Sequence, residues 1–463
     1  MANGEHSLIA KVMNRISQKI TSGSLNQGTK LPSIRSMART IQVSVSTVTE
    51  AYERLAAQGI IRSRPGSGYY VAISTPLLSL AESSPKLDRE VDPMWISRQS
   101  MEAGKDVLKP GCGWLPASWM PEAGIRRALR ELSRADSASL VDYASPLGSL
   151  PLRQILARRL IEREITVSAE QIILTESGTQ AIDLLCRFLV KAGDTVLVDD
   201  PCYFNFHALL RAHRVNVVAV PFTPTGPDLE LFAKAISDHS PRMYITNSAI
   251  HNPTGAVMSP NTAHRLLKLA EQAEMTIIED DIFADFEREP VPRLAAYSAL
   301  GRVTHISSFS KTLSASVRCG YIAVRQDWVE GLTDLKIATS FGGSRLSAEL
   351  VLTLLTDGTY RKHMDGLRAR LSRSMIEATA KLEELHIKPW VEPKAGMFLW
   401  CQLPHGIQAA DVARVALADG IVLAPGNAFS LTQSAGSFMR FNVAQMSDER
   451  LFRSLAKALE VCS

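Results

Sequence analysis

A chain of 463 residues, 46% hydrophobic and 21% charged, is too long for one ordinary core and has a globular composition, which excludes a disordered or fibrous class. No run reaches the ~18 uncharged apolar residues of a membrane span, and the N-terminus lacks the basic, apolar and small-residue succession of a signal peptide. The net charge of +4 is unevenly spread: residues 1–71 hold nine Lys and Arg against three acids, a surplus of +6, and the rest carries 42 bases against 44 acids.

A polyanion partner for that first segment and a merely solvated basic surface both account for the charge. The first segment reads as follows. Leu8, Ile9, Val12, Ile16 and Ile20 recur at a helical period. Gly23 and Gly28 bracket a turn. Pro32-Ser33 offers an N-cap for a short helix from Ser33 to about Thr40. Val43-Ser44 opens another, with Val48, Ala51, Tyr52 and Leu55 on one face and an end near Gly59. Strand-like runs around Ile60–Arg64 and Tyr69–Val71 are joined by Pro65-Gly66-Ser67-Gly68, which predicts a hairpin. Helix, helix–turn–helix and hairpin is the layout of a winged helix, here over residues 1–72. Residues 73–105 lack sustained periodicity. Pro76, Ser83-Ser84-Pro85 and Pro93 mark them as an interdomain linker, with a helix around Met94–Ala103.

From residue 106 helices alternate with short apolar strands. The strands are Ile172–Thr175, Thr195–Val198, Val215–Val220, Met243–Thr246, Thr276–Glu279, Val303–Ser307 and Cys319–Val324. Amphipathic helices such as 178–190 and 260–274 fill most gaps. The alternation predicts a mainly parallel α/β sheet in a domain over 106–463. Its large part spans about 145–340, and a smaller α+β lobe comes from about 106–144 plus 345–463. The six cysteines, Cys112, Cys186, Cys202, Cys319, Cys401 and Cys462, include no CxxC pair. That argues against a metal site and a disulfide scaffold, and for a reducing cytoplasm.

In a helix–turn–helix the second helix enters the major groove, N-terminal residues first. Here it begins Ser44-Val45-Ser46-Thr47-Val48-Thr49. The hydroxyls of Ser44, Ser46, Thr47 and Thr49 can donate to phosphates or base acceptors without blocking close approach. Arg35 lies early in the preceding helix, in reach of a phosphate or a guanine edge. Arg62 and Arg64 flank the hairpin, where Gly66 lets backbone approach a groove. The run Gly28-Thr-Lys-Leu31-Pro32-Ser33-Ile-Arg35, Ser46-Thr47-Val48, Ala51-Tyr52-x-x-Leu55 and Gly66-Ser67-Gly68 resembles the GntR-family winged helix over residues 8–71. The resemblance implies double-stranded DNA as partner. Val45 stands where that family often has Arg, which shifts the expected base readout towards Arg35, Thr47 and the wing.

The larger domain carries its polar residues at strand ends, the edge where open α/β sheets bind ligands. The strand ends lead into Ser177-Gly178-Thr179-Gln180, Asp200-Pro201-Cys202-Tyr203, His251-Asn252-Pro253-Thr254-Gly255, Asp280-Asp281 and Ser308-Phe309-Ser310-Lys311. A helix N-terminus with hydroxyls suits a phosphate. A lysine, an acid and an aromatic are what pyridoxal 5'-phosphate needs for its aldehyde, its pyridine nitrogen and its ring. In this order, over about residues 106–450, the pieces resemble the class I aminotransferases of PLP fold type I. The resemblance implies Lys311 as the Schiff-base lysine, Asp280 facing the pyridine nitrogen, Asn252 on the ring hydroxyl and Tyr203 stacked on the ring. It further implies Ser177, Gly178, Thr179, Ser308 and Arg318 on the phosphate, with Tyr143 reaching it from a partner subunit. Arg440, in Met-Arg-Phe-Asn, would take the carboxylate of a substrate or effector. Aminotransferases usually have Tyr where this chain has Phe283, and the adjacent Asp280 and Asp281 are told apart by the resemblance alone.

The two halves together resemble the MocR-type subgroup of GntR regulators. That implies a homodimer, head-to-tail and domain-swapped, sensing PLP or an amine or amino-acid effector and controlling transcription in the cytoplasm. An active PLP-dependent aminotransferase with a secondary DNA-binding domain is the alternative.

Overall fold

The computed structural model describes residues 8–21, 25, 28–57, 60–64, 66–72, 92–104, 106–135 and 140–463. The expected turn at Gly23, the helix end at Gly59, the wing residue Pro65 and residues 73–91 of the linker lie outside the described residues. The chain divides into two compact units, Met1–Lys86 and Leu87–Ser463.

The first unit has helices Leu8–Thr21, Ile34–Ile41 and Val45–Ala57, then strands β1 (Ile61–Arg64) and β2 (Gly68–Val71). The strands pair antiparallel from Ile61↔Val71 to Arg64↔Gly68. Ser33 caps the second helix by accepting from the Ser36 N–H at 3.2 Å. Gln42, in the left-handed region at φ 59°, ends it and turns the chain into the third. Val12, Ile16, Val48, Ala51, Tyr52, Leu55 and Ile61 form the buried core. The buried Tyr52 hydroxyl donates to the Pro32 carbonyl at 2.8 Å, so the turn before the second helix is tied to the third. Tyr52 also meets Tyr69 edge to face at 5.0 Å, which holds the wing against the helices.

The larger unit is built on strands β3 (Ile172–Thr175), β4 (Thr195–Asp200), β5 (Asn216–Thr223), β6 (Gly226–Pro227), β7 (Met243–Thr246), β8 (Thr276–Asp280), β9 (Val303–Ser308) and β10 (Gly320–Ala323). Among the described residues they form one sheet in the order β3-β10-β9-β8-β7-β4-β5-β6. β9, β8, β7, β4 and β5 run parallel. β10 lies antiparallel between β9 and β3. The central strands are buried and mostly apolar because both faces of the sheet are covered. Leu197 and Ile277 enter one core cluster, while Val196, Val198 and Ile278 enter the other. A smaller antiparallel sheet follows, with β11 (Lys388–Pro389), β12 (Phe398–Gln402), β13 (Ala424–Pro425) and β14 (Phe438–Asn442) in the order β11-β12-β14-β13. Leu108 bridges to Ile421, which joins the segment after residue 106 to this lobe.

The helix Pro93–Glu102 lies within the segment read as linker, yet it is part of the larger unit. Asp92 caps it by accepting from the Met94 N–H at 2.9 Å. Its Ile96 is buried with Trp400, Val422, Ala424 and Phe429. Among the described residues no helix is long and apolar enough to cross a membrane.

Candidate functional site

Two regions carry the predicted residues, one in each unit. In the first unit Ser44 is the cap of the Val45–Ala57 helix rather than a free donor. Its Oγ accepts from the Thr47 N–H at 3.1 Å and also bonds the Ser46 and Thr47 hydroxyls. Thr49 donates back to the Val45 carbonyl at 3.0 Å. Local bonds to the helix backbone account for both hydroxyls. Arg35, Ser46 and Val45 are exposed on the two helices. On the wing, the Arg64 guanidinium lies over the Tyr70 ring at 4.7 Å. Tyr70 in turn bonds Ser67 through its hydroxyl at 2.6 Å. Arg62 is half-buried and its Nε is buried without a partner among the described residues. Gly66 has φ +70°, a turn conformation that favours glycine, and the space where a Cβ would point is open.

In the larger unit a cavity of about 430 Å³ opens at the carboxyl ends of the parallel strands. Lys311, just after β9, lines it, and its Nζ donates to the Gly113 carbonyl at 2.6 Å. Burial, with Arg440 nearby, pulls this ammonium down from 10.5 to about 8. Asp280, the last residue of β8, also lines the cavity, and burial pushes its carboxyl up to about 6. The Asn247 amide donates to the Asp280 carbonyl at 2.7 Å and steadies that strand end.

Asp281 has a different environment, because successive residues of an extended chain point to opposite sides. Its two carboxylate oxygens accept from Arg293 at 3.0 and 3.1 Å, and one meets His305 at 3.1 Å. Burial opposes its charge, yet Arg293 and His305 hold the carboxyl well below the usual range. Arg293 also donates to Glu287 at 2.6 Å. In sequence the resemblance is the sole ground for preferring Asp280; in the fold, Asp280 lines the cavity while Asp281 belongs to a buried ion network.

Ser177, Gly178 and Thr179 line the cavity at the start of the Gly178–Leu189 helix, where the Ser177 Oγ accepts from the Gln180 N–H at 3.1 Å. Ser308 and Arg318 line it too, as do Tyr203, Asn252 and Phe283. Arg318 sits in the left-handed region at φ +48°. Arg440 stands beside the cavity, 1% exposed, with its guanidinium 4.2 Å from the Phe398 ring centre and 4.5 Å from that of Phe429. It donates to Asn252 Oδ1 at 2.9 Å and to the Gly111 carbonyl at 2.7 Å. Tyr143 is not among these residues. It is 79% exposed, its ring against Phe341 at 5.1 Å.

Ser310, which directly precedes Lys311 in the run quoted above, had no role assigned from sequence. It lines the cavity, and its hydroxyl is buried without a partner among the described residues. Hydroxyl-bearing lining residues, Arg318 and a helix N-terminus suit a phosphate, and the orphaned Ser310 hydroxyl is a donor awaiting an acceptor. A buried lysine and a buried acid complete the donor set that PLP requires, so the residues present fit the group. Met101, Gly113 and Trp114 also line the cavity. They come from far up the chain and left no local signal.

Residues 8–71 match the bacterial regulatory proteins of the gntR family. Residues 118–458 match aminotransferase class I and II. The chain is similar to the uncharacterised HTH-type transcriptional regulator YdfD of Bacillus subtilis strain 168, at 30% identity over 96% of this chain and 94% of that one. It is similar in structure to an archaeal alanine:glyoxylate aminotransferase, with a TM-score of 0.74 and 25% identity over 81% of this chain and 96% of that one. The α-aminoadipate aminotransferase LysN of Thermus thermophilus, solved with N-(5'-phosphopyridoxyl)-L-leucine, has the same fold. Its TM-score is 0.71 at 24% identity, over 77% of this chain and 93% of that one. The chain therefore belongs to the gntR family of DNA-binding transcription regulators and to the aminotransferase class I and II family, the pairing that makes up the MocR-type regulators.

Proposed function

We propose that this regulator holds pyridoxal 5'-phosphate in its larger unit and responds on DNA to an amine or amino acid that reaches the same pocket. One observation carries the reading: Lys311, Asp280 and the Ser177–Thr179 helix start line a single cavity. The cofactor supplies an aldehyde that forms an imine and a ring that acts as an electron sink. Lys311 would provide the amine, and its lowered basicity leaves more of it neutral near pH 8. Asp280 would accept the pyridine N–H, Asn252 would bond the ring hydroxyl, and Tyr203 would cover the ring. Ser177, Gly178, Thr179, Ser308 and Arg318 would bind the phosphate. Arg440 would take a carboxylate of the effector.

The assembly we infer is a head-to-tail, domain-swapped homodimer in which Tyr143 of the partner subunit adds a phosphate contact. Its exposure outside the pocket of its own chain supports that reading. Arg35, Ser46 and Thr47 of the two helices and Arg62, Arg64 and Gly66 of the wing would face DNA, in the cytoplasm. Ser44 and Thr49 would act through the shape of the helix start. A ligand that favours one arrangement of the dimer shifts the population of DNA-competent molecules by its differential affinity. Phe283 has no hydroxyl to offer the cofactor, which favours sensing over rapid turnover.

Fluorescence anisotropy tests this with full-length protein on DNA flanking its own gene, with and without PLP, over a salt series. Saturable binding that beats scrambled DNA and responds to PLP is the expected result. Binding indifferent to sequence and to PLP, with measurable amino-group transfer, would favour the aminotransferase reading instead.

A further inference from the structure

We infer that the ligand sensed in this pocket is an amino acid with a single carboxylate and an apolar side chain, selected by Met101 and Trp114. The inference rests on the cofactor reading above. Among the described residues lining the cavity, the charged side chains are Asp280, Lys311 and Arg318. All three have work to do for the cofactor, at its ring nitrogen, its aldehyde and its phosphate.

Arg440 is the cation left over. It approaches the cavity at Gly113, where an added Cβ would lie 4.0 Å from its Nη2 and 3.9 Å from the Lys311 Nζ. One guanidinium, already donating to Asn252 and Gly111, has capacity for one carboxylate. Among the described residues lining the cavity, no further cation stands ready for a second carboxylate on the ligand.

Part of the neutral wall is apolar, beside polar residues such as Asn205 and Asn247. Met101 and Trp114 line it, and Met101 is 66% exposed. This exposed side chain stands on a fixed support. The Pro93–Glu102 helix is capped by Asp92 and anchored by Ile96, and the Lys109 ammonium donates to the Ala103 carbonyl at 3.1 Å just beyond its end. A flexible thioether on a rigid helix suits side chains of varied shape. The same helix touches the carboxylate end indirectly, since Ile96 shares its buried cluster with Phe429, whose ring flanks Arg440. Both ends of one ligand would therefore bear on the helix that begins the larger unit.

Absorbance and calorimetric titrations of the PLP-loaded full-length protein test this. The probes are L-leucine, L-methionine and L-phenylalanine against L-aspartate and L-glutamate, with isoamylamine as leucine without its carboxylate. The apolar amino acids should bind roughly tenfold or more tightly than the dicarboxylates, the discrimination an apolar pocket supplies. Isoamylamine should bind more weakly than leucine. Met101→Arg should narrow or reverse the preference, while Met101→Leu should keep it, with melting curves checking that each variant folds. Dicarboxylates that bind as tightly as leucine would overturn the inference, and so would a preference unmoved by Met101→Arg. If no amino acid disturbs the loaded protein, the inference falls although the cofactor reading stands. If the protein acquires no visible cofactor band at all, it is the cofactor reading that has failed.

Discussion

Asp280 and Asp281 are neighbours in sequence, and replacing each by Asn should move stability in opposite directions. Asp281 is bound by Arg293 through both oxygens and by His305, all buried. Asp281→Asn leaves Arg293 with Glu287 as its remaining carboxylate, and breaking a buried pair in this way costs ~3–5 kcal/mol. Asp280 is buried and forms no ion pair among the described residues, and burial raises its carboxyl from an ordinary 3.8 to about 6. Between those two values the unfolded chain has given up its proton and the folded chain keeps it, so stability falls as pH rises through that window. Above about 6 the deficit is complete, at ~3 kcal/mol for a gap of about 2 on the pH scale. Asp280→Asn removes the deficit, so the cofactor-free variant should be more stable than the parent at pH 7 and no more stable below pH 4. Urea unfolding of cofactor-free protein at pH 7 and pH 4, followed by circular dichroism, measures this. Equal losses from the two substitutions, or a destabilised Asp280→Asn, would refute the assignment of one carboxylate to the cavity and the other to the ion network.

Four further outcomes are expected. Lys311→Ala should abolish the visible band formed on adding PLP while the fold survives. In the parent the rate of that band's appearance should climb with pH and level above about 8 rather than above 10, because the free amine is the reactive form; stopped-flow absorbance follows it. Phe283→Tyr places a hydroxyl in the cavity wall and should shift the pH titration of the bound cofactor's absorbance, and an unchanged curve would remove residue 283 from the ring's surroundings. Arg35→Ala should weaken DNA binding and lower the salt slope by about 1, as expected for one lost phosphate contact, which anisotropy at several salt concentrations reads directly.

The helices and hairpin of the winged helix were legible. Its signals are local: a Ser33 cap, a buried stripe from Val48 to Leu55 and a Gly66–Gly68 wing turn act within a few positions of one another. Seven strands of the main sheet were legible for the same reason, since a sheet covered on both faces favours short runs rich in apolar residues, while β6 and β11–β14 left no such signal. The direction of β10 was not, because alternating helices and strands predict parallel neighbours and nothing local marks a reversal. The helix Pro93–Glu102 was visible as a helix but read as linker, because the residues that bury Ile96 lie about 300 positions later.

The sequence by itself determined which kinds of residue stand at the strand ends, and therefore the family and the chemistry to expect. Tertiary structure alone decided their partners. It spent the Ser44 and Thr49 hydroxyls on the helix start, put Asp281 on Arg293 and His305, and brought the Gly113 carbonyl to Lys311 and Met101 to the same cavity. Hydrophobic period and capping are set by neighbours along the chain, whereas burial and charge pairing are set by neighbours in space, and those are known only once the chain has folded.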